Sequence, residues 1–321
     1  MSRRSGTQSL TRFLVIRLLS VVLILFLISF LTFSLMHLVP GDLVKNLIGN
    51  RPATPEAIAQ IRAQYHLNEP FLSQYFSWLA NALHGDFGTS IRLNEPVSTA
   101  ISARLGMTAV LTILAFVFAV ATAIPLGVLS AIHSNRPTDK FITAAGLFGL
   151  SAPSFAIGLA LLMLFGYYIP IFPVYGIGSG GINTLYHLVL PSITLALGLA
   201  AYLIRITRAA MIRELASDYA TFAFSRGLKP RKVYLIALRN ASIPIVTSSA
   251  LLLTYLVGGT ILVETVFALP GLGLLMEEAV LFKDIPVVQG LTILIALVIG
   301  VVNIAVDLSY RFLDPRMRDS Q

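Results

Sequence analysis

The residues able to do chemistry are few and scattered. Cysteine is absent, which excludes thiolate nucleophiles, disulfide frameworks, iron–sulfur clusters and cysteine zinc sites. The five histidines, His37, His66, His84, His133 and His187, are far apart and form no H-E-x-x-H pair. Each is expected to be an interfacial or packed residue rather than a metal ligand. No serine sits in a G-x-S-x-G elbow. No glycine–lysine dipeptide occurs, so the phosphate-cradling loop G-x-x-x-x-G-K-[ST] is not encoded. The chain is therefore expected not to be an enzyme and to carry no cofactor or metal of its own. Two polar clusters remain. One is strongly basic and contains Asp218, Tyr219, Phe222, Ala223, Phe224, Gly227, Leu228, Lys229 and Arg231. The other mixes acids with turn-formers: Glu264, Phe267, Pro270, Gly271, Gly273, Asp284 and Pro286.

The elements that must position these clusters are membrane spans. Hydrophobic residues make up 56% of the 321 residues and charged ones only 12%, about half the usual share of a soluble domain, roughly 25%. Mean hydropathy is +0.82. Charge-free stretches of ~20 residues, the length that crosses ~30 Å of hydrocarbon, occur six times. They run from Leu18 to Met36, Leu105 to Ile132, Phe141 to Ile169, His187 to Ile204, Ile243 to Val263 and Val287 to Val306. Lipid offers no partner for backbone N–H and C=O groups, so helices are expected throughout. The first stretch is too long for a signal-peptide core and has no A-x-A-like site after it, which favours an uncleaved helix.

The fold class is thus all-α, an integral membrane protein of six transmembrane helices. The expected organisation is a cytoplasmic N-terminus (1–17), a first helix (18–39), an extracytoplasmic helical segment (40–104), a core carrying helices two to six (105–310) and a cytoplasmic tail (311–321). Net charge is +8, and seventeen of the 23 Lys and Arg residues fall on one side of this arrangement. Eight of them, from Arg205 to Arg239, lie between the fourth and fifth spans. The third-to-fourth connection has no charge, and the fifth-to-sixth has Lys283 against Glu264, Glu277, Glu278 and Asp284. By the positive-inside rule both termini face the cytoplasm. The basic balance then reports topology and lipid contact, with no nucleic acid expected.

In the long outer segment, Thr54-Pro55-Glu56 reads as a helix start, with Ile58, Ile61 and Tyr65 on one face. A second helix is expected from about Phe71 to Leu83, stopped by Gly85. In the basic connection, 205–240, Asp218 is expected to cap a short helix ending at Gly227, and Pro230 to open another through Val233 to Leu238. This predicts two short helices joined by Gly227-Leu228-Lys229, with Phe222 and Phe224 exposed, a peg suited to a soluble partner. The 264–286 connection is expected to be partly re-entrant or to lie along the membrane surface. No ionisable residue is placed near the centre of any span, whereas self-powered carriers usually bury one there. Energy for pumping is therefore expected to come from outside the chain.

Several of these residues fall in motifs. They are Val39-Pro40-Gly41-Asp42, His84-Gly85-Asp86-Phe87-Gly88, Asp218-Tyr219, Gly227-Leu228, Leu238-Arg239-Asn240-Ala241, Glu264-Thr265-Val266-Phe267, Pro270-Gly271-Leu272-Gly273, Asp284-Ile285-Pro286-Val287-Val288-Gln289-Gly290 and Asp314-Pro315-Arg316. Together they resemble the inner-membrane permeases of bacterial peptide importers of the ATP-binding-cassette class, in the dipeptide/oligopeptide permease B branch. The resemblance covers nearly the whole chain. It implies a type I importer permease fold in the bacterial inner membrane, importing di- or oligopeptides. It implies a second homologous permease subunit, two cytoplasmic ATPase subunits that hold ATP and Mg, and an extracytoplasmic peptide-binding protein. It makes 218–232 the loop that couples to the ATPases, with Gly227 as the matched glycine, and puts the 264–286 residues on the gate and binding-protein side. The sequence departs from the general pattern at Thr221-Phe222-Ala223, where the family has E-A-A, and at Asn240, where it has proline. Competing readings are the same permease type carrying nickel chelates, glutathione or other small solutes, and a secondary transporter or channel.

Overall fold

The computed structural model describes residues 5–38, 54–55 and 68–313. The expected helix at Thr54-Pro55-Glu56 and the motifs at Val39–Asp42 and Asp314–Arg316 lie outside the described residues, Thr54 and Pro55 apart. The described residues form α1 (Ser5–Leu38), α2 (Phe71–Leu83), α3 (Val97–Ile132), α4 (Pro137–Ser151), α5 (Ser154–Leu162), α6 (Gly181–Leu215), α7 (Asp218–Ser225), α8 (Pro230–Val266), α9 (Leu272–Leu281) and α10 (Ile285–Leu313). A π-helical turn, Met163–Tyr168, continues α5. Among the described residues five helices are long and apolar enough to cross a membrane, and six spans result if the bent pair α4–α5 counts as one.

That pair corrects the expectation of one continuous third span. α4 and α5 meet at an angle of 105°. The cause is local: Pro153 offers no backbone N–H and pushes the preceding residue out of the helical region, and Ala152 is extended at φ −81°, ψ 132°. The long helices also outrun their apolar cores. α6 continues eleven residues beyond Ile204, and α8 begins thirteen residues before Ile243. Pro125, Pro191 and Pro244 sit inside α3, α6 and α8 without ending them. Neighbouring helices and Ser or Thr hydroxyls tolerate such prolines in membrane helices.

The chain packs as two compact units. One comprises residues up to Met107 together with Pro270–Val301. Here α2, with the predicted bounds, lays Tyr75 (1% exposed) against Phe26, Phe30 and Phe33 of α1. The rings meet edge-on at 5.2–5.9 Å, the favoured geometry for aromatic pairs. The Tyr75 hydroxyl finds a partner in Ser29 Oγ at 2.8 Å. A second cluster joins the start of α3 (Val97, Ala100, Ile101) to α9 (Leu272, Leu275) and α10 (Val287, Leu291). Gly290 allows this approach, because a Cβ there would lie 2.8 Å from Val97 Cγ1 and 3.3 Å from Phe87 Cγ.

The other unit holds Thr108–Leu269 and the chain from Val302. Its centre is α6, the most buried of the long helices, packed against α3, α4, α5 and α8. Small residues dominate this core: Ala119, Ala123, Ala196, Ala200, Ala237 and Ala241 are all buried. Small side chains let helix backbones approach closely, which replaces the hydrophobic drive that lipid surroundings remove. Gly158 of α5 fits under Thr194 of α6 and Phe267, where a Cβ would lie 3.1 and 3.3 Å from their side chains.

Candidate functional site

The basic cluster is built on the ends of two long helices. α6 ends at Leu215, the chain turns through Ala216 and Ser217, and α7 follows at once. Ser217, not Asp218, occupies the N-cap position, and its hydroxyl turns back to the Glu214 carbonyl at 2.6 Å. Asp218 is the first helical residue, where its charge favours the positive end of the helix dipole without capping it. Gly227 takes φ +78°, the left-handed conformation expected of a helix terminator. Leu228 N–H then donates to the Ala223 carbonyl and Gly227 N–H to Phe224, closing α7 in the manner of a Schellman cap.

The second short helix expected after Gly227 does not stand alone. Pro230 opens it at the first position, and it runs without a break into the fifth span as α8. Asn240 and Ser242 are tolerated inside a helix, and the one proline in its interior, Pro244, does not end it. One short helix therefore sits between two rods. Phe222 is 64% exposed and Phe224 40% exposed, and Arg226 stacks over the Phe222 ring at 5.6 Å. Lys229 and Arg231 flank them, also exposed. Apolar rings beside cations on an exposed corner are an arrangement suited to a partner surface.

α7 is tied down from behind. Tyr219 Oη donates to Glu214 Oε2 at 2.9 Å and is also hydrogen-bonded to the Asn240 side chain, which joins α6, α7 and α8. Burial, and then the Glu214 carboxylate, push the phenol above its ordinary value. Asn240 thus has a use at the position where proline was the family expectation. Beside it a cavity of about 400 Å³ opens between α6 and α8, lined by Arg213, Glu214, Asn240, Pro244 and Thr247.

The acidic cluster divides between the two units. In the second unit Glu264 is fully buried, and Thr108 Oγ1 donates to its Oε1 at 2.7 Å. Phe267 is 3% exposed. In the first unit Gly271, Gly273, Asp284 and Pro286 are buried, and Pro270 is exposed. Asp284 holds the 88–97 loop: Ser90 Oγ donates to it at 2.5 Å, and the backbone N–H groups of Ile91 and Arg92 at 3.2 and 3.1 Å. Arg92 then pairs with Glu278 at 2.5 Å and covers the Phe282 ring at 4.2 Å. Two motifs some 200 residues apart in sequence thus meet here as a single packed corner. These side chains build the corner from within rather than present a charged surface.

One group escaped the sequence reading. Asp139, in the first turn of α4, is 3% exposed. It accepts a bidentate pair from Arg208 of α6, Nε at 2.6 Å and Nη2 at 2.7 Å. Ser130 of α3 donates to it at 2.5 Å and the Asn135 N–H at 2.8 Å. In sequence Arg208 is one of eight cations from Arg205 to Arg239, and Asp139 sits between Arg136 and Lys140. The available signal was a lone acid in an otherwise basic connection. Among the described residues no group of three or more His, Asp or Glu could hold a metal ion.

The family model described as binding-protein-dependent transport system inner membrane component matches residues 123–319. The model for the N-terminal part of that membrane component matches residues 10–112. Over 306 residues the chain is 35% identical to a probable peptide ABC transporter permease of Sinorhizobium fredii, covering 94% of this chain and 97% of that protein. It is 35% identical over 313 residues to a putative peptide transport system permease of Brucella abortus, covering 96% and 99%. It is 36% identical over 303 residues to the glutathione transport system permease GsiC of Escherichia coli, covering 94% and 97%.

Proposed function

The chain belongs to the family of inner-membrane components of binding-protein-dependent transport systems, and from that premise we propose that it imports peptides as one of two homologous permease subunits. Its termini and the α7 corner face the cytoplasm in this reading, where two ATPase subunits dock and hold ATP and Mg. A binding protein outside the membrane delivers the peptide. The observation that carries the proposal is α7 itself: a short, terminated helix with exposed Phe222 and Phe224, fixed from behind by Tyr219 and held between the ends of α6 and α8.

ATP binding draws the ATPase pair together and carries the two docked helices with it. The state that opens outward is favoured only to the extent that ATP and the loaded binding protein bind it more tightly than the inward one. Hydrolysis removes that preference and resets the path inward. The names of the Sinorhizobium and Brucella relatives favour peptides as cargo. The GsiC name favours glutathione, itself a tripeptide with one unusual linkage, as a second reading.

The test is affinity purification of the tagged chain from its native membrane. A second permease and two ATPase subunits should come with it, and the ATPases should be lost from Phe222→Asp. Reconstituted uptake of trialanine against glutathione then separates the two cargo readings. Recovery of the chain alone, or only with copies of itself, overturns the proposal.

A further inference from the structure

The Asp139 junction lies outside α7 and outside the acidic corner, and its carboxylate accepts four hydrogen bonds. One carboxylate gathers four pieces of backbone: the end of α3 through Ser130, the turn before α4 through Asn135, the first turn of α4 through its own position, and α6 through Arg208. Thr143, one turn further along α4, approaches the same Oδ1 at 3.4 Å. Asn135 is held at φ +64°, an uncommon conformation outside glycine that the carboxylate stabilises by accepting its N–H. Next to Arg208, Thr207 is fully buried against Gly127 of α3. Two parallel hydrogen bonds hold the guanidinium and the carboxylate in one plane, so the link resists rotation as well as separation.

Its position along α6 gives it a role. Arg208 lies seven residues before the end of α6, and α7 starts three residues after that end. Any force applied to α7 enters α6 just below Arg208. Without a brace there, α6 could flex alone. With it, α3, α4 and α6 must move together. We propose that Asp139 and Arg208 are a positioning pair that makes the ends of α3, α4 and α6 one rigid block with α7, so that displacement of the docked helix is delivered to the spans instead of being absorbed by bending. The proposal rests on the importer reading above and adds residues to it that touch neither ATPase nor cargo.

The absence of cysteine allows a direct test. Lys140 and Ala216, both exposed, are replaced by cysteine and spin-labelled in the purified complex with its ATPase subunits. In the otherwise unaltered complex, the distance distribution between the labels stays the same with and without Mg-ATP. In Arg208→Ala it broadens and shifts with nucleotide, and trialanine taken up per ATP hydrolysed in proteoliposomes falls at least fivefold. Arg208→Lys keeps the charge but not the fork, and should recover part of both readouts, which a purely structural loss would not do. Where a single variant leaves a buried charge unpaired and the complex does not assemble, Asp139→Ala with Arg208→Ala removes both charges and must still show the broadening. A label distance that changes with ATP in the unaltered complex overturns the block. So does an unchanged uptake ratio in the assembled double variant. A complex that recruits no ATPase at all refutes the importer reading instead, and the label distances in the permease alone still show whether the brace holds.

Discussion

Gly127 offers a quantitative test of how tightly α3 and α6 are matched. In Gly127→Ala the added Cβ would lie 2.6 Å from Thr207 Cβ, 2.8 Å from its Cγ2 and 3.0 Å from the Ile204 carbonyl oxygen. Carbon atoms pack without strain at about 3.5–4.0 Å, so the helices must part by about 1 Å at this level. None of the three atoms is the free end of a flexible chain. One is backbone, one is a Cβ, and one is the methyl of a β-branched residue that is 0% exposed. Overpacking of this severity costs about 3 kcal/mol, the upper end of the usual range. Alanine returns about 1 kcal/mol through its better helix propensity. The net loss is about 2 kcal/mol, or about 3 °C in Tm for an unfolding entropy of about 2.1 cal/mol/K per residue over 321 residues. The assay is thermal unfolding of the purified permease complex in detergent, with Gly127→Ala compared to the unaltered chain and to Gly127→Ala combined with Thr207→Gly. The double variant removes both side-chain contacts and should recover most of the loss. A Tm for Gly127→Ala within about 1 °C of the unaltered chain would refute the reasoning, because it would mean the interface yields without cost.

Three further outcomes follow from the same reasoning. Gly227→Val should weaken retention of the ATPase subunits more than Gly227→Asn, since a left-handed residue costs about 1–2 kcal/mol that asparagine largely avoids and no neighbour crowds the site; co-purified ATPase measures it, and equal losses would locate the effect elsewhere. Asp284→Asn should loosen the 88–97 loop by about 1.5–3 kcal/mol, the usual worth of hydrogen bonds to a charged group, and limited proteolysis within 89–96 should accelerate while the α7 corner stays protected. Tyr219→Phe should cost about 1 kcal/mol. Because the folded state raises the Tyr219 pKa, that contribution is fully present below the ordinary phenol value of 10 and declines as pH rises through the higher folded value. Stability of the Phe variant relative to the unaltered chain should therefore be constant through neutral pH, and a difference that opens between pH 6 and 8 would contradict it.

The spans were legible because long apolar runs admit one structure in lipid, and α2 because its aromatic spacing matched a single buried face. Gly227 was legible from type and position alone. The departures share a physical cause. Helix propensity carries no mark of where lipid ends, so α6 and α8 ran past their apolar cores, and the second short helix merged into α8. Ser217 displaced Asp218 as the cap because either residue suits the position and the turn after Leu215 decided between them. The break at Ala152–Pro153 was visible as a proline, but its 105° bend depends on packing. Asp139–Arg208 was legible only as a lone acid in a basic connection, with nothing to show its partner. Its two partners are 69 residues apart, and in a basic connection each reads as ordinary solvated charge.

α8 has a mechanical consequence. Its 37 residues form a rod roughly 55 Å long at 1.5 Å per residue. Pro244 removes one rung of hydrogen bonding, to the Asn240 carbonyl, and leaves the rod softest at that point. The cavity beside Asn240 and Pro244 leaves room on one side for a bend. The arm from Pro230 to Ile243 is then roughly 21 Å long and the arm from Ile245 to Val266 roughly 33 Å. About such a hinge, an equal angular swing carries the end with the buried Glu264 about 1.6 times as far as the end beside α7. Moving the proline along α8 would change that ratio without changing a single contact at either end.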